Sequence, residues 1–173
     1  MENWYLLTGN IDSNLAHQVI AWFAAEVAKG TKKIKFFISS KGGDMDSAIR
    51  LYDFIKSIDV EIETYGFGQV DSSAITVFLT GQKRYCTENC RFLIHPAIFT
   101  ANSKSNILEK HLEATKLFQA LEDISISIIS TETKNDKDVV KSMYKNSTIL
   151  NSEEAKKLKF VDSVVKKFEF PKN

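Results

Sequence analysis

The chain has 173 residues, 43% of them hydrophobic and 26% charged, with a formal net charge of +1. That length suits one domain, residues 1–173, able to bury roughly two-thirds of its unfolded surface. The near-neutral charge gives no footprint for a nucleic acid or an anionic membrane, no apolar run approaches the ~20 residues of a membrane span, and Met1 to Tyr5 lacks the basic-then-apolar pattern of a leader, so a cytoplasmic protein is expected.

In chain order, Tyr5-Leu6-Leu7 reads as a strand ending at Thr8-Gly9. Asp12 or Ser13 then caps a helix whose Leu15, Val19, Trp22, Phe23 and Val27 share one stripe, with Gly30 as its stop. Ile34 to Ile38 is apolar enough for a buried strand, and the Gly42-Gly43 turn leads into a helix directing Ala48, Ile49, Tyr52 and Ile55 inward. Val60 to Thr64 is a third strand, Ser73 to Leu79 a helix, and Arg84–Cys86 and Phe92–Ile94 two further strands. Such alternation predicts an α/β fold with a mostly parallel sheet covered by helices. Cys86 and Cys90 lack the second ligand pair of a zinc site and read as buried or incidental thiols. No metal or other cofactor is called for.

A long helical arm, roughly Lys104 to Ser130, breaks the alternation with Leu108, Leu112, Leu117, Leu121, Ile124 and Ile128 as its apolar positions. It carries more apolar surface than one small domain needs, which predicts self-association. A short helix near Glu153 to Leu158 and a strand within Val161 to Phe168 close the chain.

Chemistry concentrates between Gly68 and His95. Ser72 stands at a helix start, where unpaired backbone N–H groups could receive an oxyanion, and Gly42-Gly43 could supply a second donor. Of the three histidines, His17 and His111 fall in helices and read as surface or interface residues. His95 ends an apolar strand, and spacing alone leaves it open between structural and catalytic roles.

Phe37-Ile38-Ser39-Ser40-Lys41-Gly42-Gly43, Leu51-Tyr52-Asp53, Gly68-Gln69-x-x-Ser72 and Arg91-Phe92-Leu93-Ile94-His95 resemble segments of the Clp protease proteolytic subunit (ClpP) family. Tyr5 to Gly9, Leu150-x-x-x-Glu154-Ala155 and Val161-Asp162-Ser163 do so too, all in family order from about Tyr5 to Val165. The resemblance implies the ClpP/crotonase-like β-α superfold, with residues of about 104–135 as a helical handle joining stacked heptameric rings around a chamber. It implies a serine endopeptidase acting on peptides or unfolded chains, with Ser72 as nucleophile, His95 as general base, and Gly43 and Ser73 as oxyanion-hole donors. The Ser/His pair speaks against the acyl-CoA chemistry of crotonase relatives.

The sequence departs from the family at several points. The position of the catalytic aspartate holds Ser147, preceded by Asn146; either could accept a hydrogen bond from the imidazole, but neither can carry a charge. Asp71 replaces a small residue beside the nucleophile, where it could repel a developing oxyanion or orient His95 as a substitute acid; because neighbouring side chains on a turn often point apart, it is expected to face solvent or cap the turn. Lys41 stands where a proline usually precedes Gly-Gly, and Pro96 where a polar residue usually follows the histidine, removing a backbone donor. Only four residues precede Tyr5, which weakens the expectation of docking to a Clp-type ATPase. The altered third member also leaves room for a catalytically weak or inactive subunit that assembles with or regulates a partner protease.

Overall fold

The computed structural model describes residues 1–97 and 108–170, with the side chains of Leu108 and Glu109 left undescribed. Five strands form one parallel sheet in the order β1-β2-β3-β4-β7: β1 (Glu2–Thr8), β2 (Lys33–Ser40), β3 (Glu61–Val70), β4 (Lys83–Thr87) and β7 (Ser163–Val165). β5 (Phe92–Ile94) and β6 (Thr148–Leu150) pair separately and antiparallel. The helices are α1 (Ser13–Ala28), α2 (Met45–Ser57), α3 (Ser73–Phe78), α4 (Leu108–Thr133), α5 (Lys137–Lys145) and α6 (Ser152–Lys157).

β2 shows why the sheet is doubly covered. Ile34, Phe36 and Ile38 pack into the main core with Val19 and Phe23 of α1 and Leu51 and Ile55 of α2. On the opposite face Phe37 stacks on Tyr65, which stacks on Tyr85, each pair with centroids 4.9 Å apart. Phe168 and Phe170 of the C-terminal segment lie over that aromatic row. A strand buried on both sides carries a near-continuous apolar run, as read from the sequence.

The helix starts follow capping chemistry. Asp12 accepts from the Leu15 amide and Asp44 from the Ser47 amide, each at 2.8 Å. Asn151 and Glu154 form a reciprocal capping box on α6. In α2 the inward positions are Ser47, Ala48, Leu51 and Ile55; Leu51 takes the central place expected of Ile49, which is only half-buried.

Several boundaries differ from expectation. β1 starts at Glu2 and β3 runs on to Val70, because parallel pairing with β2 continues beyond the apolar stretch of each. The last strand is three residues long. α5 and β6 were not anticipated: α5 buries only Val140, Met143 and Tyr144, and β6 is too short to show alternation. The helical arm runs from Leu108 to Thr133; its expected start at 104–107, the side chain of Leu108, and Pro171 lie outside the described residues. Buried Arg84 fastens this C-terminal half to the sheet by donating to the carbonyls of Phe160, Glu132 and Lys159 at 3.0–3.1 Å.

Candidate active site

β3 ends against α3 through a sharp turn at Ser72, whose φ of 58° and ψ of −131° form a backbone conformation rarely taken by a residue with a side chain. Such strain costs about 1–3 kcal/mol and persists only where the surroundings over-determine it. Here they do. The Ser72 N–H donates to the Leu93 carbonyl at 2.7 Å, and its carbonyl accepts from Ile75 at 3.0 Å. Gly42 packs so closely beneath that a Cβ there would lie 2.8 Å from the Ser72 Cβ and 2.7 Å from the Asp71 carbonyl. The Ser72 side chain makes no capping hydrogen bond. A strained strand-to-helix elbow of this kind lifts a serine hydroxyl out of the fold.

The hydroxyl opens on a cleft of about 410 Å³ that is also lined by Asn10, Lys41, Gly43, Met45, His95 and Phe118. A smaller adjoining hollow brings Ser73, Ile75, Ser125 and Tyr144 beside Ser72 and His95. Burial pushes the Tyr144 hydroxyl pKa well above its usual value. His95 is half-buried where β5 ends, and its Nδ1 lies 2.8 Å from the Pro96 carbonyl oxygen. A carbonyl can only accept, so Nδ1 carries the hydrogen, and in the neutral ring Nε2 presents the lone pair. The following segment is tied to α4 by the Ala97 N–H donating to Glu122 at 3.0 Å. Among the described residues no hydrogen bond joins Ser72 to His95; such bonds often tighten only when substrate is bound.

Gly43 has a directed amide. The Gly42 carbonyl accepts from Ile11 and the Asp44 amide donates to Ile11, so along an extended backbone the Gly43 peptide groups face the other way. On that side its carbonyl accepts from the Ser73 hydroxyl at 3.2 Å. Among the described residues neither the Gly43 nor the Ser73 N–H has a protein acceptor.

The profile of the Clp protease family matches residues 2–168. The chain belongs to the Clp protease family. It is 29% identical over 160 residues to the ATP-dependent Clp protease proteolytic subunit 3 of Rhizobium meliloti, covering 91% of this chain and 80% of that one. To the proteolytic subunit 2 of Treponema pallidum it is 28% identical over 142 residues, or 76% of this chain and 71% of that one. The structure of an Asn-to-Asp mutant of ClpP1 from Listeria monocytogenes superposes with a TM-score of 0.82 at 24% identity, covering 95% of this chain and 92% of that one. The ClpP-like fold expected from the sequence is therefore the fold of this chain.

In this Clp-family member Ser72, His95 and Gly43 border one cleft, with Ser73 buried beside it. Asn146 and Ser147 do not line it. Both are exposed; Asn146 Nδ2 donates to the Ser142 hydroxyl and the Ser147 amide to the Tyr144 carbonyl. The pairing of Thr148 with Ile94 nevertheless puts Ser147 next to the strand end that carries His95. His17 is exposed and His111 half-buried, and neither borders the cleft.

Asp71 corrects an expectation. It does not face solvent: it is 3% exposed and accepts from Arg91 at 2.9 Å and from the Leu93 amide at 3.1 Å. The bulge between β2 and β3 turns it inward, with its own N–H donating to the Ser40 carbonyl at 2.9 Å. The signal that could have found it is Arg91, a cation directly before β5 that can neutralise an acid beside the elbow. The contribution of α4 and α5 to the cleft, through Phe118, Ser125 and Tyr144, left no motif in the sequence.

Proposed function

We propose that this protein is a ClpP-like serine endopeptidase in which Ser72 and His95 act as a dyad. The observation that carries the proposal is the elbow: a strained, uncapped serine and the histidine at the end of β5 border one cleft. Ser72 Oγ attacks the peptide carbonyl carbon while His95 Nε2 takes its proton. The amides of Gly43 and Ser73 receive the oxyanion. His95 then passes the proton to the leaving amine, and water, activated by the same imidazole, releases the acyl group. The Pro96 carbonyl does one part of the missing acid's work, since it fixes the tautomer, but it brings no charge to stabilise imidazolium. The enzyme should therefore be slower than a complete triad, by up to roughly 10⁴-fold.

α4 leaves Leu112, Leu117 and Ile124 exposed, which supports its use as a handle for ring assembly around a chamber; membership of the family supports unfolded chains as substrate and a Clp-type ATPase as partner. A second reading, an assembling subunit with little turnover, draws on Asn146 and Ser147 being exposed and lining neither hollow beside His95. Hydrolysis of an unstructured fluorogenic peptide separates the two. Ser72→Ala should abolish it and His95→Ala should reduce it by roughly 10²–10⁴-fold. No hydrolysis by a folded wild-type oligomer would favour the second reading, and a monomer in sedimentation would exclude the ring.

A further inference from the structure

A carboxylate beside a nucleophile that must carry developing negative charge needs a reason to be there. The Asp71 side chain is 5% exposed and engaged on both oxygens, Oδ1 accepting the Leu93 N–H and Oδ2 accepting Arg91 Nη2. The next residue, Ser72, sends its own N–H to the Leu93 carbonyl at 2.7 Å. Both peptide groups of Leu93 are thus held by two successive residues of the elbow, one through a side chain and one through the backbone. His95 stands two residues further on, immediately past the end of β5. On the other side, the Asp71 N–H to Ser40 bond fixes the elbow to β2. Arg91 carries the counter-charge and is itself steadied by Gln69, which accepts from Nη2 at 2.8 Å.

We infer that Asp71 is a positioning residue: acting through the Leu93 amide, with Arg91 as counter-ion, it sets the separation of Ser72 from His95. A backbone as strained as that of Ser72 holds only while its surroundings leave it no alternative, and this closed ring of bonds supplies part of that constraint. Both carboxylate oxygens are already engaged, one by β5 and one by the guanidinium.

The inference rests on Ser72 and His95 being the dyad, and two readouts keep its failure distinct from a failure of that reading. In saturation kinetics with a fluorophosphonate, Asp71→Ala should lower the maximal rate of Ser72 modification on the order of 100-fold, the cost of a small misplacement, with the half-saturating concentration unchanged. Asp71→Asn keeps one acceptor for Leu93 and should recover part of that rate. Arg91→Ala should lower it less than Asp71→Ala. Amide hydrogen exchange reads the clamp without any activity: Asp71→Ala should speed exchange at Leu93 and Ser72 about tenfold and leave Ile34 to Ile38 unchanged. Unaltered exchange at Leu93 overturns the clamp. Faster exchange with a wild-type rate of modification overturns the positioning role. A wild-type chain that is never modified overturns the peptidase reading, and the exchange measurement then decides the clamp alone.

Discussion

Replacing Ser147 by aspartate restores an acid at the strand end facing His95. The backbone can take it: Ser147 has a φ of 48°, and aspartate tolerates left-handed geometry better than most side chains. The site is exposed, so the carboxylate keeps its hydration. Its main penalty is the negative end of α5, about 0.3–1 kcal/mol. An opposite charge within about 4–6 Å favours imidazolium by roughly 1–3 pKa units, or about 1.4–4 kcal/mol. Ser147→Asp should then raise the rate of Ser72 acylation by roughly tenfold to 10³-fold, below the ~10⁴-fold worth of the acid in a full triad. To do so the carboxylate must displace the Pro96 carbonyl, 2.8 Å from Nδ1. The assay compares wild type, Ser147→Asp and Ser147→Asn by fluorophosphonate kinetics and peptide turnover; asparagine, without charge, should give little gain. A folded Ser147→Asp protein with a wild-type rate would refute the reasoning and place the orienting group elsewhere.

Two other perturbations test the scaffold. Gly42→Ala must accept a φ of +88° and a Cβ 2.7–3.0 Å from the backbone of Asp71 and Ser73, so it should destabilise by about 2–5 kcal/mol and slow Ser72 modification; an unchanged melting temperature contradicts the packing described. Glu26 is buried, and the hydrogen bond from Lys29, helped by those from Asn3 and Thr31, lowers its carboxyl pKa to about 2. A depressed carboxylate stabilises the fold above its unfolded value of about 4.5, and that contribution is lost as pH falls through about 2. With Lys29 itself largely exposed and screened, its size is on the order of 1–2 kcal/mol, so the stability difference between wild type and Glu26→Gln should shrink between pH 5 and pH 2; a constant difference contradicts the ion pair.

How much was legible follows from where the signal lies. The core strands and α1 to α3 announce themselves because burial on both faces of β2, on one face of α1 and α2 and all round α3 imposes apolar runs and stripes that local reading detects. Ser72, Gly43 and His95 are singled out by the collinear resemblance to the family, because a serine at a helix start, a Gly-Gly turn and a histidine at a strand end each have common structural uses of their own. Asp71 was misread because its orientation depends on a bulge and on a partner, Arg91, twenty residues away. α5 was missed because the i, i+3, i+4 spacing of Val140, Met143 and Tyr144 spans barely more than one turn, and β6 because it buries only Leu150 and is held by pairing with β5.

The central claim is that Ser72 is an activated nucleophile. Intact-protein and peptide mass spectrometry after treatment with a fluorophosphonate tests it most directly. The account predicts one adduct, carried by Ser72, absent in Ser72→Ala and strongly slowed in His95→Ala. A folded wild-type protein that stays unmodified, or an adduct borne by another residue, would contradict it.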